Sequence, residues 1–285
     1  MPFDPRVLQH APWSVSKSDA LSRCTHLYQL KYILKAKEES KHSASKLGTA
    51  AHQVLEIALT QPGSDLGELA KSACETFGLV TEEERELNTK LPAISGFVTR
   101  IRKFKAEQGV TAEFLEAKVA IDANYKSVGF FDRRVLLRGV MDQIIITDKK
   151  IAVIIDHKTG RKKRIAEHST QFFAYMIMAA ANYDIVGAQC AINYVGTDAV
   201  DWFPKSNGDH GVWSLHDIQR LRGWLEAYLN QNSRSLGVLE DLGPDEAAPT
   251  NPNILCGWCG YLNRCEPGRA SVEARKKTKS NADDF

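Results

Sequence analysis

A hairpin-like stretch near the middle of the sequence limits what this chain can fold into. Two apolar runs, residues 135–147 and 151–158, flank a polar turn at residues 148–150, a pattern typical of two antiparallel strands. If the pairing is centred on residue 149, Asp142 lies directly opposite Asp156. Opposed residues on one face of a sheet have Cβ atoms about 4.5 to 5.5 Å apart. The hairpin therefore predicts two neighbouring carboxylates.

These carboxylates stand among isoleucines and valines, where burying charge is costly unless something compensates it. Lys158 follows Asp156 by two residues and so projects from the same face of the strand. A divalent cation such as Mg²⁺ accepts one or two carboxylates together with waters and a phosphate, and Lys158 could then orient or help deprotonate an attacking water. The alternative is a hairpin end with a surface ion pair, which the position of Asp142 disfavours.

The composition is that of an ordinary soluble protein. The 285 residues are 43% apolar and 25% charged, enough to bury a sizeable core. No apolar run approaches the roughly 18 residues of a membrane span, and the first residues lack the features of a signal peptide. We therefore expect a cytoplasmic location.

The net charge of +2 is too small to make the whole surface attractive to nucleic acid, so affinity for phosphate must come from local basic clusters. Such clusters are otherwise solvated surface. One lies at residues 99–105. The other, just after the hairpin, supplies the candidates for DNA contact, Arg161, Lys162, Lys163 and Arg164.

Periodicity gives an order of elements along the chain. Helix 16–35 is expected to be capped by Ser18 or Asp19, helix 169–183 by Ser169 or Thr170, and the last helix by a capping box at Ser214. Residues 81–88 are expected to form an acidic loop. The other predicted helices are 47–59, 66–77, 93–108 and 214–232, and the strands beside the central hairpin are 113–122, 185–195 and 200–203.

His52 is a candidate third ligand. It follows Gly48 by four residues on a predicted helix, so both lie on one face and the glycine permits a close approach. Imidazole is a plausible partner of two carboxylates, especially for Mn²⁺, although a histidine on an apolar helix face is more often a core residue. Glu116, in the strand before the hairpin, could add a water-mediated contact or be an exposed carboxylate.

An amide and a phenol fall on one face of the helix after the hairpin. Gln171 and Tyr175 are four residues apart, near the end of the second hairpin strand. Their alternative interpretation is a core tyrosine beside a surface glutamine.

Together these residues resemble the RecB-type branch of the PD-(D/E)XK nuclease superfamily. That branch has Gly-xxx-His on a helix, Gly-xx-Asp and Asp-x-Lys on successive strands, and Gln-xxx-Tyr on the next helix. In this sequence, in the same order, they are Gly48/His52, Gly139/Asp142, Asp156/Lys158 and Gln171/Tyr175.

The resemblance implies an α/β (α+β) fold with a restriction-endonuclease-like core, a central mixed β-sheet flanked by helices. It also implies that Mg²⁺ or Mn²⁺ is held by His52, Asp142, Asp156 and the main-chain carbonyl of His157, where the family often has tyrosine, with Lys158 acting on the water.

Four cysteines form a second candidate site. The C-terminal three are spaced Cys256-x2-Cys259-x5-Cys265, one ligand short of four, and Cys24 could complete the set. Four thiolates can hold structural Zn²⁺ or a four-iron, four-sulfur (4Fe-4S) cluster. Disulfides are disfavoured in the cytosol. Cys74 and Cys190 are expected to be small core residues.

One upstream cysteine with this C-terminal spacing, and the segment at residues 24–28, resemble the iron-sulfur nucleases: the AddB-type helicase-nuclease subunits and the CRISPR adaptation nucleases. This resemblance implies an iron-sulfur cluster that joins the N- and C-terminal segments. We expect one nuclease domain over residues 1–268, comprising a helical part at about 14–108, a core at about 112–235 and the cysteine cluster, followed by a polar, disordered tail at 269–285.

The expected activity is Mg²⁺- or Mn²⁺-dependent hydrolysis of DNA, by an exonuclease on single-stranded or resected ends in recombination, repair or phage DNA processing. The sequence lacks a Walker motif, so a separate helicase, recombinase or integrase is the expected partner. Two alternatives stay open: a CRISPR adaptation nuclease that trims spacer precursors, and an inactive iron-sulfur scaffold that binds DNA.

Overall fold

The structure, a computed structural model, describes residues 2–39, 43–197, 199–205, 211–243 and 246–283. The helices are α1 (Pro5–Gln9), α2 (Val15–Arg23), α3 (Thr25–Tyr28), α4 (Ser43–Thr60), α5 (Leu66–Phe77), α6 (Thr81–Gln108), α7 (Ser169–Asn182), α8 (Leu215–Asn230), α9 (Ser233–Glu240) and α10 (Glu266–Asp283). The strands are β1 (Val110–Ile121), β2 (Leu137–Thr147), β3 (Ile151–Lys158), β4 (Gly187–Tyr194), β5 (Ala199–Trp202) and β6 (Trp213–Ser214).

The chain divides into two compact units. One contains Ser43–Leu225, and the other joins Met1–His42 to Glu226–Phe285. The first unit, here called the sheet unit, combines helices α4–α6 with all six strands. The second, the terminal unit, contains both ends of the chain and the four cysteines of the predicted cluster.

The sheet is mixed, as predicted. Its strand order is β1-β2-β3-β4-β5, with β6 also paired to β4. Strands β3 and β4 are parallel and the other pairs are antiparallel. Helices flank the sheet, which confirms the predicted α/β class with a restriction-endonuclease-like core.

The predicted hairpin has the predicted register. Gln143 pairs with Ile155 and Ile146 with Ala152, so the pairing is centred on residue 149. The turn is closed by a hydrogen bond from Lys150 N to Thr147 O of 2.9 Å. Asp142 and Asp156 are the next positions in register beyond the last ladder pair.

One hydrophobic cluster joins three helices to the sheet. It is built around α4, α5 and α6, with Val54, Leu87 and Ile94 fully or almost fully buried. The strands contribute Ile145, Val153 and Ile155, alternate residues that share one face. Burial of this face fixes the register, because a slip of one residue would turn these side chains to the opposite face.

The acidic segment predicted to be a loop is helical, so that prediction was wrong. Residues 81–88 form the first two turns of α6. Three glutamates lie in its first turn, where negative charge interacts favourably with the helix dipole, and Glu83 accepts a hydrogen bond from Val80 N at 2.9 Å. Leu87 is completely buried and anchors the segment.

The first predicted helix is interrupted at Cys24. This residue is extended, with φ −164° and ψ 115°, so α2 ends before it and α3 begins after it. A π-helix at Gln29–Ile33 follows. The backbone of His26 bonds instead to Pro249 O at 3.2 Å, a non-local contact that the helical pattern does not contain.

Two predicted caps were wrong as well. Helix α2 is capped about one turn earlier than expected, by the Ser14 side chain, which accepts from Lys17 N. Helix α7 follows directly on a 3₁₀ turn, and its N-cap residue is His168, without a side-chain hydrogen bond. The capping box at Ser214 is present: Asp217 Oδ2 accepts from Ser214 N at 3.0 Å and Ser214 Oγ accepts from Asp217 N at 3.2 Å.

The C-terminal segment expected to be disordered contains helix α10 as far as Asp283. Its alanines, lysines, arginines and glutamates are good helix formers. Arg275 donates to Asn253 O at 2.8 Å and so ties the helix to the cysteine segment. Disorder was expected from the polar composition alone, and composition does not reveal a contact such as that between Arg275 and Asn253.

Two positions of the predicted loops, Asp198 and Pro244, lie outside the described residues. In the part of the chain that is described, no helix has both the length and the apolar character needed to cross a bilayer.

A close approach at Gly187 gives a test of the β4–β6 pairing. A Cβ atom there would lie 2.7 Å from Trp213 O and 2.7 Å from Val212 Cγ1. We expect Gly187→Ala to reduce the free energy of unfolding by about 1–3 kcal/mol, the usual cost of overpacking. The matched control is Gly129→Ala, where nothing lies within 4 Å. Equal urea midpoints for the two variants would contradict the pairing.

Candidate active site

Three possible metal ligands from three elements converge in the sheet unit. They are His52 of α4, Glu116 of β1 and Asp142 of β2, with ligand atoms within 4.8 Å of one another. Among the described residues, no other group of three His, Cys, Asp or Glu side chains is this compact. Two carboxylates with one imidazole suit Mg²⁺ or Mn²⁺.

Glu116 has an unusual backbone conformation. Its φ is +47°, a left-handed value that is uncommon for residues other than glycine. The neighbouring ladder pairs, Leu115 with Gln143 and Ala117 with Met141, place Glu116 beside Asp142. Such a conformation costs on the order of 1–3 kcal/mol and is concentrated at functional sites. The strain therefore points to a function for this carboxylate, for which only a supporting role was expected.

Asp142 is held by the backbone of the next strand. Its Oδ2 accepts a hydrogen bond from His157 N at 2.7 Å and lies 4.0 Å from His52 Nδ1. Burial, and then the negative charge of Asp156, raise the pKa of Asp142 to about 7. Burial, together with repulsion from Asp156, thus lets Asp142 retain a proton near neutral pH in the absence of a cation.

Asp156 is almost fully buried, at 1% exposure. Its Oδ1 accepts from Gln171 Nε2 at 2.6 Å, and its Oδ2 lies 2.7 Å from Lys158 Nζ. This contact is an ion pair without hydrogen-bond geometry, so Oδ2 has no hydrogen-bond partner. A buried carboxylate oxygen without a donor is costly, and a cation nearby would offset that cost. Lys158 projects on the side of Asp156, as predicted.

Gln171 and Tyr175 connect α7 to both hairpin strands. Gln171 Nε2 donates to Asp156 and also to Tyr175 OH at 2.8 Å, and Tyr175 OH donates to Val140 O at 2.8 Å. A Cβ atom at Gly139 would lie 3.4 Å from the Tyr175 ring. The pair therefore positions Asp156 and the start of β2, while Gly139 leaves room for Met178, whose Cε would lie 3.0 Å from an added Cβ.

His52 reaches the site because Gly48, one turn earlier, lies against the segment after β3. A Cβ atom at Gly48 would be 3.0 Å from Thr159 Oγ1. The close approach expected at Gly48 is therefore made to the side chain of Thr159. Burial lowers the pKa of His52; the charge of Asp156 and a hydrogen bond to the His157 backbone act in the opposite sense. A neutral imidazole is the form that binds metals.

The His157 side chain, for which the sequence suggested no role, is buried beneath the site. Its ring is 5.2 Å from the Phe97 ring, and its Nδ1 is 3.1 Å from Asn193 Nδ2. Burial and the nearby His52 lower its pKa to about 3. The ring is therefore neutral and supports the strand whose backbone contacts Asp142.

Sequence reasoning missed two residues near the site. A cavity of about 670 Å³ beside the three ligands is also lined by Glu56, whose charge, after burial, contributes to the raised pKa of Glu116. Glu56 is one turn after His52, a spacing that could have indicated it. His168 is close enough to Lys158 that this positive charge, after burial, lowers its pKa, and no sequence signal pointed to it.

The basic run after β3 is exposed along its length. Lys162 pairs with Asp201 at 2.8 Å and Arg164 with Glu167 at 3.3 Å. Arg161 and Lys163 are exposed beside them. The run directly follows the strand that contains Asp156 and Lys158, where a phosphodiester would approach.

The terminal unit contains the four cysteines of the second candidate site. Burial raises the pKa of Cys259, and nearby Cys24, Cys256 and Cys265 raise it further. Cys256 Sγ accepts a hydrogen bond from Asn253 N at 3.2 Å. Thiols that are mutually close and accept backbone hydrogen bonds fit a thiolate-bound metal group.

The spacing of these thiols bears on which group fits. Tetrahedral zinc with Zn–S bonds of about 2.3 Å requires sulfurs about 3.8 Å apart. No three of these sulfurs, all of them in described residues, lie within 4.8 Å of one another. Cys74 and Cys190 are buried away from the set, in α5 and β4, as predicted.

Among curated proteins, none matches this chain. A solved structure titled "Crystal structure of SSO0001" is similar at 14% identity and a TM-score of 0.33, over 85% of this chain and 94% of that chain; the likeness is too distant to support an argument. A family model described as the PD-(D/E)XK nuclease superfamily matches residues 12–266. That range includes both candidate sites, and the chain therefore belongs to the PD-(D/E)XK nuclease superfamily, whose fold implies a phosphodiester hydrolase.

Proposed function

We propose that this protein is a Mg²⁺- or Mn²⁺-dependent DNA nuclease. The observation that carries the proposal is the convergence of His52, Glu116 and Asp142 beside the Asp156–Lys158 ion pair. An ordinary structural ion pair needs none of the three ligands. A hydrolytic metal site uses ligands of this kind, together with an open cavity for the substrate.

The ligand set fits a hard cation. His52, Asp142, Asp156 and the His157 carbonyl would hold it, as the family resemblance implies, and Glu116 would join them. A bound cation supplies charge that polarises a phosphoryl oxygen and makes a water more acidic.

The protein's own groups position the reactants. Asp156 is fixed by Gln171, which leaves its second oxygen directed towards Lys158. The side chain of Lys158 is 37% exposed, so its ammonium can hold an attacking water and orient it towards the phosphate. The products would carry 5′-phosphate ends. Arg161, Lys162, Lys163 and Arg164 would neutralise backbone phosphates, a contact that does not depend on sequence.

The favoured substrate is a single-stranded or resected DNA end, and the favoured action is exonucleolytic, in recombination, repair or phage DNA processing. These assignments rest on the resemblance to RecB-type nucleases, whose motifs this chain shares. A separate helicase or recombinase would supply unwound strands. A cytoplasmic location is part of the proposal, because DNA and reduced thiols occur together there.

Two alternatives remain. A CRISPR adaptation nuclease has the same motif set, and trimming of spacer precursors beside an integrase partner would distinguish it. An inactive iron-sulfur scaffold that binds DNA would not require a strained Glu116 beside complete acidic and basic site residues, and this favours the enzyme.

We further propose that Cys24, Cys256, Cys259 and Cys265 hold a 4Fe-4S cluster, with structural Zn²⁺ as the alternative. The resemblance of these cysteines to those of the iron-sulfur nucleases supports the larger group. Its role would be structural, joining the two chain segments of the terminal unit.

Loss of either hairpin charge should stop cleavage. We expect Asp142→Asn and Lys158→Ala to lower the rate at least about a hundredfold, because each removes a group that acts on the reacting phosphate or water. The measurement is degradation of end-labelled single- and double-stranded DNA with Mg²⁺ or Mn²⁺. Matched controls are the exposed Asp184→Asn and Lys149→Ala, with rates near wild type. Wild-type turnover by Asp142→Asn or Lys158→Ala would exclude this site.

The raised pKa of Asp142 predicts a pH dependence of metal-free stability. Between about pH 4 and the pKa of about 7, the folded protein keeps a proton that the unfolded chain has released, so this contribution to stability is lost as the pH rises across that window. Asp142→Asn removes the titration while keeping a hydrogen-bond acceptor.

In EDTA, the Asn variant should therefore gain stability relative to wild type between pH 5 and pH 8, measured by urea unfolding. The lowered pKa values of His52 and His157 affect both proteins and largely cancel in the difference. Asp184→Asn, at an exposed carboxylate, should show no such trend. A stability difference that is the same at both pH values contradicts the buried carboxylate pair.

Replacing one cluster ligand should remove the cofactor. We expect Cys259→Ala, purified without oxygen, to be colourless, to lack iron and sulfide, and to unfold at lower urea than wild type. Cys74→Ala, a buried cysteine outside the set, should keep the brown colour. Colourless wild-type protein containing zinc would favour Zn²⁺, and iron retained by Cys259→Ala would exclude Cys259 as a ligand.

A further inference from the structure

We propose that the loop between β1 and β2, residues 122–136 and here called the aromatic loop, binds single-stranded DNA by stacking a base on Phe131. The proposal rests on the proposed nuclease function and names a contact for its substrate. Phe131 is 80% exposed, the largest exposure among the large hydrophobic residues described. An exposed aromatic ring in a basic setting is the usual platform for unpaired bases.

The ring of Phe131 packs against two neighbouring side chains, Phe130 and Arg138. Phe130 meets it edge to face, with ring centroids 5.1 Å apart. The Arg138 guanidinium lies 4.9 Å from the Phe130 centroid and 5.8 Å from that of Phe131, and Arg138 also donates to Phe130 O at 3.3 Å. A planar cation beside two rings can neutralise a phosphate while the outer ring receives a base.

Hydrogen bonds within the aromatic loop and to helix α7 hold the loop in place. Asp122 Oδ1 accepts from Asn124 N and Lys126 N, both at 2.9 Å. Ser127 Oγ donates to Asn182 Oδ1 of α7 at 2.7 Å. These bonds fix both the turn and its position on the sheet, so less conformational entropy is lost when a ligand binds Phe131.

The charges around Phe131 favour nucleic acid over a protein partner. Arg133 and Arg134 follow the ring and are exposed, and Arg134 is braced by two hydrogen bonds to Asp132, of 3.0 and 2.7 Å. A protein interface centred on an aromatic residue needs apolar neighbours and few charges, whereas here the chain neighbours after Phe131 are an aspartate and two arginines.

The aromatic loop leads directly into β2, the strand that contains Asp142. β2 begins at Leu137, and Asp142 is five residues along it, about 17 Å at roughly 3.3 Å per residue. β3 runs antiparallel to β2, so the basic run that follows Lys158 leaves from the end of the sheet at which β2 begins. A DNA strand that passes the start of β2 would reach Asp142 within about five nucleotides at a rise of roughly 3.4 Å, and within fewer if it is extended.

The test measures base stacking separately from hydrolysis. Labelled oligo-dT binding is followed by fluorescence anisotropy in EDTA, where no cleavage occurs. We expect Phe131→Ala to weaken binding roughly 5- to 150-fold, the range for a lost base stack, and Phe131→Trp to retain wild-type affinity. Phe114→Ala is the matched control, at a phenylalanine that is 40% exposed elsewhere on the sheet, and its affinity should be unchanged.

An abasic site moved along the oligonucleotide locates the stack. Wild type should lose affinity when one particular base is missing, and Phe131→Ala should not distinguish that oligonucleotide from the intact one. Equal sensitivity in both proteins overturns the proposal, as does wild-type affinity of Phe131→Ala. Self-association that Phe131→Ala abolishes, without any change in DNA binding, would assign the ring to a protein interface instead.

Hydrolysis of a small phosphodiester, thymidine 5′-(p-nitrophenyl phosphate), separates the two proposals. Phe131→Ala should hydrolyse it at the wild-type rate, because the substrate is too short to reach the aromatic loop. If Phe131→Ala lowers the hydrolysis rate of this small substrate as strongly as it lowers the affinity for oligo-dT, then Phe131 supports the fold. That result would overturn the inference. If the wild-type protein hydrolyses neither DNA nor this small phosphodiester but still binds DNA through Phe131, the proposed nuclease function is wrong. The proposed stacking contact is then still supported.

Discussion

The placing of two carboxylates in the interior of a hairpin is the constraint on which the rest of the site depends. Asp156 is almost fully buried and Asp142 is close to it, so burial and the charge of Asp156 raise the cost of ionising Asp142. The protein offsets this cost with Lys158, with the amide of Gln171 and with the backbone N–H of His157. These donors leave a net negative charge, and the elevated pKa of Asp142 reflects it. A bound cation would neutralise that negative charge.

The same constraint explains why elements far apart in the chain meet here. Helix α7 provides the Gln171–Tyr175 pair that bonds to both strands, and Gly139 leaves room for Met178 of the same helix. Helix α4 brings His52 only because Gly48 allows contact with Thr159. On β1, the left-handed Glu116 is energetically unfavourable by itself. A site that tolerates this strain in the ground state is arranged for a ligand that brings positive charge.

The sequence predicted the parts of the site that depend on local periodicity. The register of β2 and β3 follows from a two-residue period and a short turn, so Asp142, Asp156 and Lys158 could be placed together. The backbone conformation of Glu116 and the proximity of Glu56 depend on how α4 packs against β1, which no local pattern encodes. The start of α6 was predicted to be a loop because it is rich in acidic residues, and the burial of Leu87 cannot be read from that local composition. The break at Cys24 likewise depends on a contact with residue 249, more than two hundred positions away.

The terminal unit raises the question of how much a cluster would stabilise the chain. Joining Cys24 to Cys256 closes a loop of about 230 residues, worth on the order of 5 kcal/mol if the unlinked ends were free. They are not free, since Ala248 N donates to Gln29 Oε1 at 2.8 Å, Asn251 Nδ2 to Arg23 O at 3.0 Å and Tyr261 OH to Ala36 O at 3.1 Å. Because the polypeptide already closes most of that loop, the contribution of a cluster must lie well below the full value. Its main effect is then to fix the local geometry of the cysteine segment.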